Sequence, residues 1–479
     1  MLRYRCALIR CVLIALALVS ATRQPLCGQE RTVPELTDDQ RQALSVVTQG
    51  RVLSTISFLA SDELAGRDTP SRELTIAAAF VASRFRGAGL EPVNPDGSFY
   101  QSQSFSMTQP PAADAVLTDV GSDKQSRRKV LAALGEETSV SGKVISEADA
   151  ADADSPEIVL IKESALPPQA LRRPSAVTAL YARRTRKLAE QGVKVVLVAC
   201  GPDSRLSEVA DQLNRSAVSV IKGLQPQCCI VPVAADEEWT GKEVRVAVDA
   251  QRQTEEPVRN VIGVLKGSDE KLSEEAVFIT AHLDHIGRTS SGADLINNGA
   301  DDNATGVTAV LSLADAFGSL KQKPKRSVVF MTFWGEEKGL RGSKAFVEDP
   351  LWPLAKIAAN INIEMVGRPE EDAREKAWMT GWKHSDLGEL MNAGSQRVGV
   401  EIFNRTDVGE MLYSRSDNYA FVRKGVVAHS FSAGSLHADY HQPSDEWQKL
   451  DIPHMTKVIH GLFAGALAVA NTTDPPARK

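Results

Sequence analysis

The chain has 479 residues, of which 43% are hydrophobic and 24% are charged, a composition typical of soluble globular proteins with more than one packed core. The 55 basic and 61 acidic residues give a formal net charge of -6 and are mixed along the sequence. No basic arm or acidic tail is present, so we expect neither a nucleic-acid partner nor binding to a charged membrane surface.

The N-terminus predicts an export signal. Three arginines within the first ten residues precede a short apolar run at residues 12–19, and small residues follow this run. This order is typical of a cleavable signal peptide, which we assign to residues 1–21. A membrane anchor is the alternative, but the run is short of the roughly 20 apolar residues that span a bilayer. Lipidation at Cys27 is disfavoured, because Leu26 stands where a lipoprotein signal has a small residue. We therefore expect a secreted or periplasmic protein with no integral membrane segment in its mature chain.

Four cysteines follow the predicted signal, at Cys27, Cys200, Cys228 and Cys229. Export permits disulfides without requiring them. Cys228 and Cys229 lie beside an apolar run, so burial in a strand competes with a bridge from Cys200 to one of them. We favour the bridge. The cysteine spacing matches no zinc finger.

The first folded element after a polar leader at residues 22–40 is predicted to be an amphipathic helix that ends near Leu90. Apolar residues recur on one face of this helix at spacings of four and three, at Leu74, Ala78, Val81 and Phe85. Two glycines, at positions 87 and 89, end the pattern. This periodicity predicts a helix packed on a core.

The middle of the chain has a different character. Residues 109–156 are rich in Ala, Ser, Asp and Gly without a clear period, which indicates loops, short edge strands and a domain boundary. The segment 157–250 then combines a basic helix at about 176–191 with apolar runs at 158–161, 193–199 and 230–234. We expect a small α/β or β-rich domain there.

From residue 258 the chain alternates between strands and helices. Apolar runs occur at 260–265, 276–280, 327–333, 357–363 and 425–431, with helical stretches at 306–317 and 385–398. Continuous apolar strands are typical of sheets covered on both faces. We therefore predict an α/β fold with a mixed, largely parallel sheet flanked by helices.

Polar residues follow three of these apolar runs, at the points where strands should end. They are His282, Asp284 and His285 after one run, Glu336 and Glu337 after another, and Glu364 after a third. Alone, such a histidine is more often structural, and such a Glu pair is usually a solvated helix start. Ligands in open α/β sheets bind beyond the carboxyl ends of strands, so we expect these side chains to converge.

Two further segments extend this set. Residues 299–306 carry two aspartates ahead of a helix, where acidic residues also serve as caps. The loop after the last run carries His437, Asp439, Tyr440 and His441. Two imidazoles with three or four carboxylates and no cysteine suit zinc, and a shared carboxylate can hold two ions about 3.5–4 Å apart. One of two adjacent glutamates can then bind metal while the other takes a proton from the attacking water.

These motifs resemble the co-catalytic zinc aminopeptidases of family M28, over residues 40–110 and 255–470. The matching motifs are, in order, residues 282–284, 299–306, 334–337, 362–368, 416–417 and 440–441. The resemblance implies a zinc exopeptidase fold and two zinc ions. One ion would be held by His282 and Glu364, the other by Glu337 and His441, with Asp302 between them and a cis peptide bond from Asp302 to Asn303.

The resemblance also implies roles for three residues outside the ligand set. Glu336 matches the general base, Asp284 the carboxylate that orients His282, and Tyr440 a tyrosine that hydrogen-bonds the oxyanion. For His285 and His437, two roles are open: support of the metal ligands, or a purely structural role.

Two positions depart from the family pattern. Glu364 stands where the third carboxylate ligand is usually Asp, which lengthens its reach by one methylene. Asn418 stands where the family pattern has a histidine. The second change lies outside the predicted ligands and bears on substrate preference.

The domain organisation follows from the same resemblance. Residues 125–252 resemble the protease-associated domain often inserted in this family, between peptidase segments at 40–124 and 253–475. The predicted activity is release of N-terminal amino acids from peptides with a free N-terminus. A carboxypeptidase, a glutaminyl-cyclase-like enzyme and a non-catalytic binding protein are the alternatives.

Overall fold

The computed structural model describes residues 33–109, 113–166, 174–215, 218–219, 224–289, 292–370, 373–434 and 436–479. The predicted signal peptide, Cys27 and most of the leader lie outside these ranges. The α-helices are α1 (Asp38–Leu44), α2 (Gln49–Leu59), α3 (Arg72–Gly87), α4 (Pro174–Glu190), α5 (Leu206–Arg215), α6 (Gly306–Ser319), α7 (Arg341–Glu348), α8 (Leu387–Ser395), α9 (Gly409–Leu412), α10 (Asn418–Val422) and α11 (Ile452–Asn471).

The strands in the first 250 residues are β1 (Glu91–Pro92), β2 (Tyr100–Thr108), β3 (Asp114–Asp119), β4 (Lys124–Lys129), β5 (Thr138–Lys143), β6 (Ile145–Ser146), β7 (Ile158–Lys162), β8 (Val195–Cys200), β9 (Val218–Ser219), β10 (Cys229–Ala234) and β11 (Glu243–Val248). The remaining strands are β12 (Gln253–Leu265), β13 (Ala276–His282), β14 (Gly287–Arg288), β15 (Ile296–Asn297), β16 (Ser327–Phe333), β17 (Ile357–Ile363), β18 (Lys376–Met379), β19 (Glu401–Asn404) and β20 (Ala428–Ser432).

The largest sheet has ten strands in the order β19-β18-β20-β17-β13-β16-β12-β2-β9, with β1 paired to β12. Its centre, β16-β13-β17-β20, is parallel. Beside this centre, β12 pairs antiparallel with β16 and β2 pairs antiparallel with β12. At the opposite side, β18 pairs antiparallel with β20. The prediction of a mixed α/β sheet flanked by helices is confirmed.

Both faces of this sheet are covered, which explains why its central strands are apolar throughout. On β13, Val277 and Ile279 face one core, to which α2, α3, α6, α8 and α11 contribute. Phe278 faces the other core and packs against Phe346 of α7 and Phe421 of α10. The parallel strands are therefore held rigidly, and so are the residues at their ends.

Two helices illustrate what periodicity can and cannot predict. Helix α3 is confirmed, with Ser71 as N-cap and the four predicted apolar residues buried. Helix α11, of which the sequence analysis gave no indication, has mean hydropathy 1.2 and is long and apolar enough to cross a membrane. However, 72% of the most apolar stretch of this helix is buried inside the protein, where the helix packs against α2, α6 and α8. A helix that is apolar on all sides is also typical of the core of a large domain.

Most strands between β2 and β12 form two four-stranded sheets, in the orders β10-β8-β7-β6 and β4-β3-β11-β5, whereas β9 of the same segment pairs with β2 in the largest sheet. Strands β3 and β4 form one antiparallel hairpin. Strand β3 also pairs with β11, so this small sheet includes residues ahead of residue 125, where the boundary of the inserted domain is predicted. The likeness of this segment to a protease-associated domain stays a prediction.

The predicted disulfide is wrong, because Cys200, Cys228 and Cys229 are all free thiols. Cys229 pairs with Val195 at one end of the β10–β8 ladder, whereas Cys200 pairs with Ala234 at the other end. Five residues of strand separate these ends by about 16 Å, and a disulfide needs Cα atoms within about 7 Å. Burial, the competing explanation, accounts for both remaining cysteines, because Cys229 is buried in β10 and Cys228 is buried directly ahead of it.

Candidate metal centre

The predicted site residues lie at one edge of the central sheet. His282 is the last residue of β13, and Glu364 directly follows β17. Glu337 follows β16, and His441 lies in the loop after β20. Because these four strands are parallel, their carboxyl ends meet at the same edge, where α/β sheets bind ligands. Asp302 lies ahead of α6, in the loop that follows β13 and β15.

The structure brings the five predicted ligands together around the carboxylate of Asp302. Oδ1 of Asp302 lies 3.3 Å from Nε2 of His282, and that nitrogen lies 3.2 Å from Oε2 of Glu364. Oδ2 of Asp302 lies 3.1 Å from Nε2 of His441, which lies 2.9 Å from Oε1 of Glu337. Asp302 thus divides its two oxygens between two groups of donors. The peptide bond from Asp302 to Asn303 is cis, as the resemblance implied.

The donor set fits metal ions better than it fits ion pairs. Asp302 Oδ2, Glu337 Oε1 and His441 Nε2 are buried and, among the described residues, lack a partner with hydrogen-bond geometry. Ligand atoms at 2.0–2.2 Å from a tetrahedral zinc ion lie roughly 3.3 Å apart. The observed spacings of 2.9 to 3.3 Å are close to that value.

The backbone of the bridging residue is held by Asp445, which sequence reasoning missed. Its carboxylate accepts hydrogen bonds from the N–H of Asp301, at 3.0 Å, and of Asp302, at 3.1 Å. Asp445 is fully buried. Burial, and to a smaller extent repulsion from Asp301, raises the pKa of its carboxyl group to about 6. The only sequence signal was a carboxylate four residues after His441 in the same loop.

Arg67 is a second residue that the sequence analysis missed. Its buried guanidinium donates to the carbonyl oxygens of Leu283 at 2.9 Å, Asn298 at 2.8 Å and Gly299 at 3.0 Å, and also to that of Leu59. It thereby ties together the loops that carry His282 and Asp302. Burial lowers its pKa to about 10, which leaves it charged at neutral pH. Three of its four partners are backbone atoms more than 200 residues away, so no local pattern reveals its role.

Replacing Arg67 with methionine is expected to lower the free energy of unfolding of the metal-free protein by about 3 kcal/mol or more, because four carbonyl groups lose their donor. Urea unfolding of the full chain measures this change. Arg51→Met, at an exposed position in α2, is the matched control and should change stability by less than about 0.5 kcal/mol. An Arg67 variant as stable as the control would contradict the anchoring role.

Glu364 is supported from two sides. Oε1 accepts hydrogen bonds from Asn362 Nδ2 at 2.8 Å and Ser416 Oγ at 2.6 Å, and Oε2 accepts from Asn303 Nδ2 at 2.9 Å. These contacts fix the longer side chain that stands where the family usually has Asp. The other departure, Asn418, is buried and contacts Ser430, outside both donor groups.

Glu336 lies beside the donor groups but belongs to neither. Its N–H donates to Oδ1 of Asp284 at 3.0 Å, and Oδ2 of Asp284 accepts from Thr69 Oγ1 at 3.1 Å. The prediction that the carboxylate of Asp284 orients His282 is wrong in one respect, because His282 contacts the backbone of Asp284 instead. Nδ1 of His282 lies 3.0 Å from the backbone carbonyl oxygen of Asp284 and 3.9 Å from its carboxylate, too far for a hydrogen bond. The carboxylate instead positions the Glu336 backbone.

The remaining predicted residues flank the centre. The ring of Tyr440 stacks on His441, with centroids 3.9 Å apart, and burial raises the pKa of its phenol, aided by Asp302 and Glu337. His437 contacts Oδ2 of Asp301 at 3.2 Å and neither donor group. His285 is fully buried, and its Nδ1 lies 3.2 Å from Glu337 Oε1.

The charges of the metal-free centre compensate each other. Burial lowers the pKa of His441, but contacts with Asp302 and Glu337 outweigh it and raise the value to about 9. Burial raises the pKa of Glu337, but contacts with His285 and His441 lower it to about 2. At pH 7 a protonated His441 therefore faces ionised carboxylates, and a metal ion must displace that proton.

Binding of zinc at pH 7 is accordingly expected to release protons, since only neutral imidazole binds metal. Because His441 must lose its proton, the apparent affinity of the protein for zinc should rise about tenfold per pH unit up to about pH 9. The protonated imidazole stabilises the metal-free fold fully below about pH 6.5, and this contribution is lost as pH rises through 9. Calorimetry in two buffers of different ionisation enthalpy measures the release. Binding at pH 7 without proton exchange would contradict the charge assignment.

Residues 260–464 match the profile of "Peptidase family M28". A "Probable glutamate carboxypeptidase" from Arthroderma benhamiae is 30% identical over 247 residues, which cover 47% of this chain and 32% of the relative. A "Vacuolar membrane protease" from Phaeosphaeria nodorum is 32% identical over 231 residues, covering 45% and 22%. The matching segments thus span a third or less of these curated relatives.

Similarity to solved structures concerns the fold. An aminopeptidase from Aneurinibacillus sp. strain AM-1 superposes with a TM-score of 0.54 at 19% identity, covering 91% of this chain and 97% of that one. The alignment includes most of the chain, and so it supports the α/β architecture described above.

The predicted secreted or periplasmic location is contradicted by these comparisons. Several relatives are named vacuolar membrane proteases, and that name points to a membrane-anchored vacuolar location. The physical reason is that a basic segment followed by a short apolar run directs a chain to a membrane without encoding its final compartment.

Proposed function

The chain belongs to peptidase family M28 through residues 260–464, and from this premise we propose that it is a two-zinc peptidase that releases N-terminal amino acids from peptides. The observation that carries the proposal is the carboxylate of Asp302. Its two oxygens face two separate sets of nitrogen and oxygen donors, and an uncommitted glutamate lies alongside. A shared carboxylate of this kind suits two neighbouring cations.

His282 and Glu364 would hold one zinc ion, and Glu337 and His441 the other, with Asp302 between them. Imidazole and carboxylate donors without thiolate are typical of catalytic rather than structural zinc sites. Zinc, when bound, lowers the pKa of water and polarises the scissile carbonyl group.

Glu336 is the proposed general base. Its carboxylate takes the proton from the attacking water and returns it to the amine that leaves. Burial raises its pKa well above the ordinary value in the metal-free protein, and nearby cations lower it again. Asp284 and Thr69 fix the backbone from which this carboxylate projects.

Tyr440 is the proposed hydrogen-bond donor to the oxyanion. Its raised pKa keeps the phenol neutral across the physiological range, so that it can donate. Its stacking on His441 holds the ring beside a ligand.

The charges near the centre favour an aminopeptidase over a carboxypeptidase, the activity in the name of one relative. A carboxypeptidase needs cations free to bind a C-terminal carboxylate. Lys338, next to Glu337, pairs with Asp68 at 2.8 Å, and Arg368, four residues after Glu364, pairs with Asp439 at 2.6 Å. Both cations are therefore neutralised by carboxylates of the same chain.

Matched peptides test the specificity of the full chain loaded with zinc. A panel that differs in the first residue should be hydrolysed from the N-terminus, and N-acetylation should lower kcat/KM by about 100-fold or more, whereas C-terminal amidation should change it little. The reverse pattern would identify a carboxypeptidase. Cyclisation of N-terminal glutamine would identify a cyclase, and metal binding without turnover a binding protein.

A further inference from the structure

His285 is a buried imidazole whose placement the roles above leave unexplained. It is 0% exposed, and among the described residues neither ring nitrogen has a hydrogen-bond partner. Nδ1 nevertheless lies 3.2 Å from Oε1 of Glu337 and 3.7 Å from Oδ2 of Asp302. A buried polar group without a partner is costly, so these nitrogens call for an explanation.

The donors around Nδ1 share this property. Asp302 Oδ2, Glu337 Oε1 and His441 Nε2 are likewise buried without hydrogen-bond partners. One ligand atom from each of the four residues, His285, Asp302, Glu337 and His441, lies within 4.8 Å of the other three. The close contacts, from 2.9 to 3.7 Å, bracket the roughly 3.3 Å spacing of ligands around tetrahedral zinc. The other group has three members, His282, Asp302 and Glu364.

We propose that His285 binds the second zinc ion through Nδ1, as a fourth protein ligand beside Asp302, Glu337 and His441; this rests on the proposed two-zinc function. The two ions are then unequal. The four-ligand ion is closed by protein and binds more tightly. The three-ligand ion keeps an open position, which is the arrangement of catalytic zinc sites.

The local backbone is built around the His285 ring. Gly299 has φ +58°, and a Cβ at this position would lie 2.4 Å from Cγ of His285. Any side chain at residue 299 would therefore collide with the imidazole. On another side, the ring meets His441 edge to face, with centroids 5.4 Å apart. The ring is thus confined with Nδ1 next to the donors.

Zinc affinities of three full-length variants test the assignment, measured by competition with a chelator. His285→Ala should bind one of the two ions about 100-fold or more weakly than the wild type, because loss of even a supporting partner costs 10–100-fold. His285→Asn should lose as much, since its amide replaces the Nδ1 donor but is a poor zinc ligand. The control His460→Asn, at a half-buried histidine of α11, should match the wild type.

The asparagine variant separates a ligand from a hydrogen-bond donor. Wild-type affinity in His285→Asn would overturn the proposal, because it would mean that His285 only donates a hydrogen bond to Glu337. Circular dichroism of the metal-free variants checks that the fold is retained.

X-ray absorption of the wild type loaded with one equivalent of zinc decides the matter even where the variants fail to fold. The four-member group offers two imidazoles, His285 and His441, whereas the other group offers only His282. The spectrum of the first, more tightly bound ion should therefore contain scattering from two imidazoles. Scattering from one imidazole would overturn the role of His285 alone, whereas no binding would overturn the two-zinc proposal as well.

Discussion

Glu336→Gln is expected to lower kcat for peptide hydrolysis by about 10²–10⁴-fold, because glutamine cannot accept the proton of the attacking water. The bound zinc and the fold should be unchanged. Glu336 belongs to neither donor group, and its contact with Asp284 is made by the backbone N–H, which the substitution retains. Initial rates on a peptide substrate, with zinc content measured on the same sample, give both quantities.

The matched control for this variant is Glu274→Gln, at an exposed glutamate that pairs with Lys356 far from the centre. It should retain wild-type rates. An equally active Glu336→Gln enzyme would remove Glu336 from the mechanism. Loss of zinc together with activity would instead make it a ligand.

Asp302→Ala is expected to weaken binding of both zinc ions by more than about 100-fold and to abolish turnover. The reason is that Asp302 is the one side chain that contributes an oxygen to each donor group, and even partners of ligands are worth 10–100-fold. Equilibrium dialysis with elemental analysis measures the bound zinc.

Asp407→Asn, at an exposed aspartate, serves as the control and should bind zinc as the wild type does. The variant His282→Ala, which removes a donor from one group only, should lose one ion. Retention of two ions by Asp302→Ala would show that the groups do not share this carboxylate.

The sequence predicted the position of the centre because parallel strands impose it. The runs that became β13, β16, β17 and β20 are apolar since both faces of the sheet are covered, and their carboxyl ends meet at one edge. His282 and Glu364 could therefore be placed from the strand ends alone, whereas Asp302 and His441 also needed the motifs of the family.

Elements outside the parallel centre were less predictable. Strand β2 mixes serine and glutamine with aromatic residues, so it has no apolar run, although it pairs with β12 over nine residues. Burial of helix α11 on nearly all sides removes the amphipathic period by which helices are recognised.

The residues that support the centre were predictable only in part. Arg67 and Asp445 act on backbone atoms of distant segments, and such contacts leave no spacing rule in the sequence. The free thiols show the same limit, since strand register, not proximity in the chain, decided that Cys200 and Cys229 lie apart.

Anomalous scattering at the zinc edge, from crystals of the full chain grown with zinc, tests the proposed centre most directly. Two peaks about 3.5–4 Å apart, one on each side of the Asp302 carboxylate, are expected. A single peak, or two peaks that do not share Asp302, would contradict the two-zinc centre and the peptidase mechanism built on it.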